Sequence, residues 1–325
     1  MATTSQDYIA AALHRPKSRG FMARLRGGDE LSYLITLAST VSILLIVGLI
    51  VFELWANSKP TFATFGFNFL RTSTWDPNSD KYGALPFIYG TCVTSLLALI
   101  IAVPLGVAAA IFLAEMAPPR LSNFLTFLIE LLAAVPSVIY GLLGVFILVP
   151  LIRQYLVPAL KSAFGYLPIF EGTFYGLSVL SAGIVLAVMI VPFIISVSRE
   201  VLLAVPTDQR EAALALGATK WETTWDIVLP NASTGIFGSI FLALARALGE
   251  TMAVTMVIGN TPKISASLLA PGYSIAAVIA NEFAEASGDL YVSSLIFMGL
   301  VLFGLTIVIN AAARIFIMTT QANKV

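Results

Sequence analysis

Long apolar runs alternate with short polar segments along most of the chain. Six runs can be distinguished, at roughly residues 31–55, 86–114, 123–156, 175–203, 233–259 and 290–317. Each run is long enough to cross about 30 Å of hydrocarbon as a helix. Because a segment within lipid must satisfy its own backbone hydrogen bonds, the runs predict an all-α, polytopic membrane bundle of six transmembrane helices. Prolines inside the runs are expected to be tolerated kinks: Pro104, Pro136, Pro150 and Pro192.

The composition excludes a soluble enzyme. Of the 325 residues, 58% are apolar and 11% are charged, whereas about 25% of the residues in an ordinary globular chain are charged. The net charge is zero, so we expect no general attraction to nucleic acid. With one cysteine, Cys92, the chain has neither an intramolecular disulfide nor a cysteine metal cluster.

The distribution of Lys and Arg predicts the orientation in the membrane. If the N-terminus is cytoplasmic, eleven of the 18 Lys and Arg residues lie on the cytoplasmic side and six on the outer side. Basic residues are enriched in cytoplasmic segments. We therefore expect a plasma (inner) membrane protein with cytoplasmic tails at 1–30 and 318–325 and a transmembrane domain at 31–317, which includes a cytoplasmic loop at 204–232.

This cytoplasmic loop carries strong helix signals. Residues 211–216 read EAALAL, a helix-forming sequence, and Thr207 is a suitable N-cap before it. Gly217 can adopt the left-handed conformation that ends a helix. Thr219–Glu222 has the pattern of a capping box, which predicts a second short helix ending at Pro230. Two short helices around a glycine corner form a shape suited to a groove on a partner protein.

The spacing within this loop resembles the coupling motif of ATP-binding-cassette importer permeases. Glu211-Ala212-Ala213 is followed after three residues by Gly217, and after nine more by Ile227-x-Leu229-Pro230. Four further segments resemble the permeases of phosphate importers, and in particular their PstC-type subunits: 75–91, 129–141, 246–260 and 280–286.

The resemblance implies a fold, partners and a set of contact residues. The fold would be that of a type I importer permease. The partners would be a second, PstA-like permease, two cytoplasmic ATPase subunits and an extracytoplasmic phosphate-binding protein, with inorganic phosphate as the substrate and membrane lipid around the bundle. The residues expected to contact the ATPase are Glu211, Ala212, Ala213, Gly217, Trp221, Ile227, Leu229 and Pro230.

Motifs for ATP hydrolysis and other catalysis are absent from the sequence. There is no G-x-x-x-x-G-K-[S/T], H-E-x-x-H or G-x-S-x-G. We therefore expect no catalytic residue, no metal and no cofactor in this chain, and ATP hydrolysis on a separate partner subunit.

Two charges, Arg246 and Glu250, interrupt the fifth apolar run. A charge at membrane depth costs about 2.5–3.5 kcal/mol on insertion scales, and residues four apart share one face of a helix. The guanidinium group suits phosphate oxygens, so Arg246 could meet an anionic substrate while Glu250 holds it in place. The alternative is an ion pair that only locks two helices together. In the family that the sequence resembles, this pair is associated with the transport path.

Several alternatives remain open from the sequence. The chain could be a permease for another anion, an ion-coupled secondary carrier that uses Arg246 and Glu250, or a structural membrane scaffold. Glu130 could line a pathway or pair with a neighbouring helix, and residues 274–285 could form a re-entrant or an interfacial helix. The outer segments could dock a binding protein or form an aromatic belt with their aromatic residues: Trp75, Tyr82, Tyr166 and Tyr175.

Overall fold

The computed structural model describes residues 29–322. Within this range the protein consists of helices and loops, with one isolated β-bridge between Asp76 and Lys81. The main helices are α1 (Asp29–Asn57), α2 (Lys59–Phe65), α3 (Leu85–Met116), α4 (Pro119–Ala133), α5 (Ser137–Phe164), α6 (Val179–Leu203), α7 (Thr207–Ala215), α8 (Lys220–Leu248), α9 (Met252–Val257), α10 (Ile275–Glu282) and α11 (Asp289–Ala322). Shorter helical turns lie at Asn68–Arg71, Pro77–Ser79 and Pro168–Phe170.

Six of the described helices are long and apolar enough to cross a membrane: α1, α3, α5, α6, α8 and α11. This confirms the number of spans that the sequence predicts. The predicted tail 1–30 falls almost entirely outside the described residues, which begin at 29, whereas only residues 323–325 of the predicted tail 318–325 do. The last helix continues to Ala322, beyond the expected domain boundary at 317.

The chain divides into two compact units, residues 1–53 and residues 54–325. The described part of the first unit belongs to α1, which has apolar residues on every side. A helix that is apolar around its whole circumference is typical of a segment surrounded by lipid or by other apolar helices. All of the contacts described below lie within the second unit.

The third apolar run is two helices, so the single span expected at 123–156 is wrong. α4 ends at Ala133 and α5 begins at Ser137, because Pro136 adopts an extended conformation (φ −58°, ψ 140°) between them. Proline lacks an N–H and disfavours a helical conformation in the residue before it. The Tyr140 hydroxyl donates a hydrogen bond to the Leu132 carbonyl over 2.7 Å, which links the two helices across the break. Pro136 is therefore a break, whereas Pro104 and Pro192 remain inside their helices.

The fifth apolar run also differs from the span expected at 233–259. α8 begins much earlier, at Lys220, and ends at Leu248 with Gly249 as its C-cap. Residues 249–251 are not helical, and α9 begins at Met252. Hydropathy does not detect this break because the flanking residues are apolar on both sides.

α6 is the central helix of the bundle. Most of its residues are buried, and its closest neighbour is α3. The two helices approach at glycines: a Cβ atom on Gly106 would lie 2.7 Å from Ile194, and one on Gly183 would lie 2.5 Å from Leu97. Neither position has room for a side chain, so the close packing depends on the glycines.

The segment 56–85, which the sequence places on the outer side, is packed against an aromatic cluster. Trp75 Nε1 and the Tyr291 hydroxyl both donate to Glu282 Oε2, over 2.9 Å and 2.7 Å. Tyr82 is 1% exposed and stacks on Tyr291 with ring centroids 5.5 Å apart, and its burial raises the pKa of its hydroxyl to about 12. Trp75 and Tyr82 therefore belong to a packed cluster, which leaves two of the four predicted docking aromatics largely exposed, Tyr166 and Tyr175.

The segment at 274–285 forms the short helix α10, which packs inside the bundle. Residues 275–278 are buried, and the Ile275 N–H donates to Thr91 Oγ1 over 2.9 Å. Thr91 lies in the second turn of α3, and a Cβ on the preceding Gly90 would lie 2.1 Å from the Tyr273 carbonyl oxygen. This contact favours the first of the two alternatives, a buried re-entrant segment, and disfavours an interfacial helix at the surface of the bundle.

Candidate functional site

The predicted coupling segment begins with α7, which directly follows the central helix α6. Pro206 (φ −55°, ψ 137°) is the last residue before α7, and Thr207 is its first helical residue. The expectation that Thr207 is the N-cap is therefore wrong, and no side chain caps this helix. Asp208 lies in the first turn, where a negative charge interacts favourably with the helix dipole.

The corner after α7 has the geometry expected from the sequence. Gly217 has a φ of +91°, in the left-handed region. The Ala218 N–H donates to the Ala213 carbonyl over 3.1 Å, which satisfies one of the last carbonyls of α7. The capping box is also confirmed, because the Glu222 N–H donates to Thr219 Oγ1 over 3.2 Å and the Thr219 N–H donates to Glu222 Oε2 over 2.7 Å.

The second helix of the segment does not end at Pro230, contrary to the expectation. α8 runs without interruption from Lys220 to Leu248, and Pro230 lies inside it. A π-helical turn at Thr223–Val228 immediately precedes this proline. Because the π turn shifts the hydrogen-bond register, the missing N–H of proline is accommodated without a break. The candidate motif therefore spans one short helix and the start of a long one.

The exposed side of this segment combines a carboxylate, small residues and two indoles. Glu211 and Ala212 are exposed on α7. Trp221 and Trp225 are 58% and 53% exposed, and their rings stack with centroids 5.6 Å apart, as their spacing predicts. Large exposed aromatic side chains are enriched in protein interfaces.

The C-terminal part of the motif lies next to an apolar cavity. Ile227 and Leu229 are half-buried. Leu229, Pro230 and Trp225 line a cavity of about 580 Å³ between α8 and α3, in which Ser233 is the only polar side chain. Of the predicted contact residues, Leu229 and Pro230 thus line a cavity against α3, whereas Glu211 and Ala212 are exposed on α7.

Arg210, a basic residue of the loop at 204–232, lies outside the motif that the sequence indicates. Its guanidinium donates to the carbonyl oxygens of Val205 and Leu202, over 2.6 Å and 2.7 Å. It also forms an ion pair with Glu115 at 3.0 Å, and both side chains are largely buried, with 16% and 11% exposed. The two charged residues are 95 positions apart, so no local sequence pattern could have identified the contact.

Arg246 and Glu250 do not form the pair that the sequence suggests. Arg246 lies in the last turn of α8 and Glu250 lies in the break that follows it, so the two residues do not share a helical face. Among the described residues, no ion pair within 4 Å joins them. Glu250 Oε1 instead accepts a hydrogen bond from the Ala253 N–H over 3.1 Å, at the start of α9.

The guanidinium of Arg246 lies over an aromatic ring of α6. Its side chain is exposed, and its Cζ lies 5.8 Å from the centre of the Phe193 ring, close enough for a cation–π interaction. Phe193 is near the middle of α6 (Val179–Leu203), which puts the guanidinium near the middle of the bundle.

Two other charged side chains lie on candidate or predicted spans. Glu130 is exposed on α4. Arg153, on α5, donates to the Tyr175 carbonyl oxygen over 2.8 Å, just before the start of α6. In the part of the chain that the structure describes, no three His, Cys, Asp or Glu residues are grouped so that they could hold a metal ion.

Comparison with known proteins agrees with this architecture. A relative from Mesorhizobium japonicum, named "Phosphate transport system permease protein PstC", is 45% identical over 298 residues, which is 90% of this chain and 91% of the relative. A protein of the same name from Pasteurella multocida is 48% identical over 288 residues, which is 87% of this chain and 90% of the relative.

Solved structures of low sequence identity share the fold. A chain from the "crystal structure of bacterial alginate ABC transporter in complex with alginate pentasaccharide-bound periplasmic protein" matches with a TM-score of 0.55 at 15% identity, over 91% of this chain and 96% of that chain. Residues 102–318 match the family described as "Binding-protein-dependent transport system inner membrane component". The chain belongs to this family of ATP-binding-cassette importer permeases and, within it, to the PstC permeases.

Proposed function

We propose that this chain is the permease subunit of an ATP-driven importer that moves inorganic phosphate across the plasma (inner) membrane. The names of the relatives support phosphate as the substrate, since the similarity to the first relative extends over 90% of the chain. The excess of Lys and Arg on one side supports cytoplasmic N- and C-termini.

The position of Arg246 is the observation that carries the substrate assignment. A guanidinium exposed near the middle of an apolar bundle is unfavourable in lipid, so it faces water, a partner subunit or an anion. Its planar fork can donate two parallel hydrogen bonds to phosphate oxygens. Glu250 shapes the break beside it by accepting from the Ala253 N–H, and a carboxylate at this place could accept a hydrogen bond from a protonated phosphate oxygen.

The coupling segment supports the rest of the assembly. The exposed residues of α7 and the stacked Trp221–Trp225 pair would contact a cytoplasmic ATPase subunit, and a complete importer would contain two ATPases, a PstA-like permease and an extracytoplasmic phosphate-binding protein. ATP binding would bring the ATPases together and pull on the segment 207–230, and the helices attached to it would tilt until the path opens outward. ATP hydrolysis on the partner would reset this chain.

The test is transport by the reconstituted complex. The chain is expressed with its candidate partners, purified, and incorporated into liposomes with phosphate-binding protein outside and ATP inside. We expect ATP-dependent accumulation of labelled phosphate that persists when a protonophore collapses the proton gradient. Arg246→Gln should assemble normally and abolish uptake. Arg153→Gln is the matched control, because Arg153 is also a span arginine but its guanidinium is already paired with the Tyr175 carbonyl oxygen of the same chain.

Other results would identify the alternatives. Uptake without ATPase subunits that a protonophore abolishes would indicate an ion-coupled carrier. ATP-driven uptake of sulfate, with none of phosphate, would indicate a permease for another anion. No ATP-dependent uptake of either anion by a complete complex would contradict the proposal.

A further inference from the structure

The side chain of Arg210 bridges the joint between α6 and α7. Only residues 204–206 separate the two helices. The Arg210 guanidinium folds back across this joint and donates to the Leu202 and Val205 carbonyl oxygens. The last carbonyls of a helix have no partner within it and carry the negative end of its dipole, so a guanidinium is well matched to them.

The same guanidinium reaches a third element. Glu115 lies in the π-helical turn Phe112–Met116, which ends α3. Its Oε1 is 3.0 Å from Arg210 Nη2, and both side chains are largely buried. Arg210 therefore connects α7 to the adjoining ends of α3 and α6, the two helices that pack most closely in the bundle.

The arrangement is poorly explained by stability alone. A largely buried ion pair is often no better for stability than well-packed apolar side chains, and an apolar cluster already fills this end of the bundle, with Leu113, Leu202, Val205 and Val228 among its members. Arg210 Nε is also buried without a hydrogen-bond partner among the described residues. What the guanidinium adds to the apolar packing is a set of directional contacts between three helices.

The two sides of α7 face different surroundings. Arg210 points into the bundle, whereas the next two residues, Glu211 and Ala212, are exposed. A second contact between α7 and the bundle, from Asn231 Nδ2 to Gln209 Oε1 at 2.9 Å, is exposed and uncharged and reaches only α8. Hydrogen bonds between charged groups are stronger than those between neutral groups.

We propose that Arg210, with Glu115, is a positioning residue that converts movement of α7 into joint movement of α3 and α6. This inference rests on the proposed function, in which an ATPase subunit contacts the exposed side of α7. Without the guanidinium, residues 204–206 would act as a hinge, and α7 could follow the ATPase while α3 and α6 stay where they are. Arg210 would then be needed for coupling and not for docking of the ATPase.

The test measures coupling at equal amounts of assembled complex. Phosphate moved per ATP hydrolysed is determined in liposomes for the original protein, Arg210→Gln, Arg210→Lys and Glu115→Gln. The matched control is Glu200→Gln, which removes an ion pair between the adjacent residues Arg199 and Glu200 and joins no two elements. We expect Arg210→Gln to retain the ATPase subunits and ATP turnover but to move about tenfold less phosphate per ATP, as the loss of charged hydrogen bonds suggests.

The conservative variants separate coupling from folding. Arg210→Lys and Glu115→Gln each keep part of the contact, so both should assemble and show an intermediate ratio, while Glu200→Gln should keep the original one. If Arg210→Gln does not assemble, the phosphate moved per ATP by Arg210→Lys and by Glu115→Gln decides between a role in coupling and a role in folding. An unchanged ratio in both would overturn the proposal, because a purely structural role alters the amount of complex and not the phosphate moved per ATP. If the original protein itself shows no ATP-dependent phosphate uptake, the proposed function fails, independently of Arg210.

Discussion

Replacing Gly217 with valine tests the corner between α7 and α8. Gly217 has a φ of +91°, and a Cβ atom at this position would meet no other atom within 4 Å. The substitution is therefore unfavourable through backbone conformation and not through a clash, by about 1–2 kcal/mol for a residue with a side chain and more for a β-branched one. A change of this size shifts the population of the native corner by roughly 5- to 30-fold. Relief of the strain would change the angle between α7 and the start of α8.

A second glycine supplies a matched control for this substitution. Gly288, before α11, has a φ of +98° and also has no atom within 4 Å of an added Cβ. Valine at either position should therefore lower stability by a similar amount. At equal permease abundance, we expect Gly217→Val to reduce recovery of the complex through a tagged ATPase subunit, or phosphate uptake, by fivefold or more. Gly288→Val should leave both near their original values.

Two results would refute this reasoning. If Gly217→Val assembles and transports normally at normal abundance, the corner is not a coupling element. If Gly288→Val loses as much association and transport as Gly217→Val, the effect reports general destabilisation and not the geometry of the segment.

Three further experiments test the site and the orientation. Exchanging Arg246 and Glu250 should not restore the transport that Arg246→Gln loses, because the two side chains are not paired and the exchange moves the guanidinium into the break after α8. Full transport by the exchange variant would contradict the assignment of Arg246 to the phosphate path. Arg246→Lys should transport partially, since lysine offers one point charge in place of the planar fork. Glu211→Lys should insert normally but lose ATPase association in a pull-down, since it reverses an exposed charge on α7; normal association would remove Glu211 from the interface. In a cysteine-free background, Tyr166→Cys should react with an impermeant thiol reagent added outside intact cells and Leu216→Cys should not, although both positions are highly exposed. Labelling of Leu216→Cys from outside would show that the orientation is the opposite of the one proposed.

Local rules explain which parts of the fold could be predicted. The number of spans follows from the length of the apolar runs, and the left-handed Gly217 and the Thr219–Glu222 capping box follow from the preferences of neighbouring residues. Such rules could not show that Pro136 breaks a helix while Pro230 lies inside one, because both prolines have apolar neighbours in the sequence. The structure shows the difference, since a π turn precedes Pro230 whereas Pro136 is itself extended.

The parts of the candidate site that depend on contacts between distant residues could not be predicted from the sequence. The spacing of Arg246 and Glu250 suggested one helical face, and only the break after Leu248 shows that they have different neighbours. The contact of Arg210 with Glu115 depends on the packing of α3 against α6, which a single sequence does not encode locally. Likewise, Trp75 and Tyr82 look like interface aromatics in the sequence but pack into a cluster with α11.

The continuity of α8 makes it a lever arm between the two candidate functional regions. Trp221 lies in its first turn and Arg246 in its last, in a single helix from Lys220 to Leu248. At a rise of 1.5 Å per residue these two side chains are separated by about 37 Å along the axis. A rotation of only about 10° around the tryptophan end would carry the guanidinium sideways by about 6 Å, twice the length of a hydrogen bond. A small angular change where a partner binds is thus enough to withdraw Arg246 from whatever it contacts.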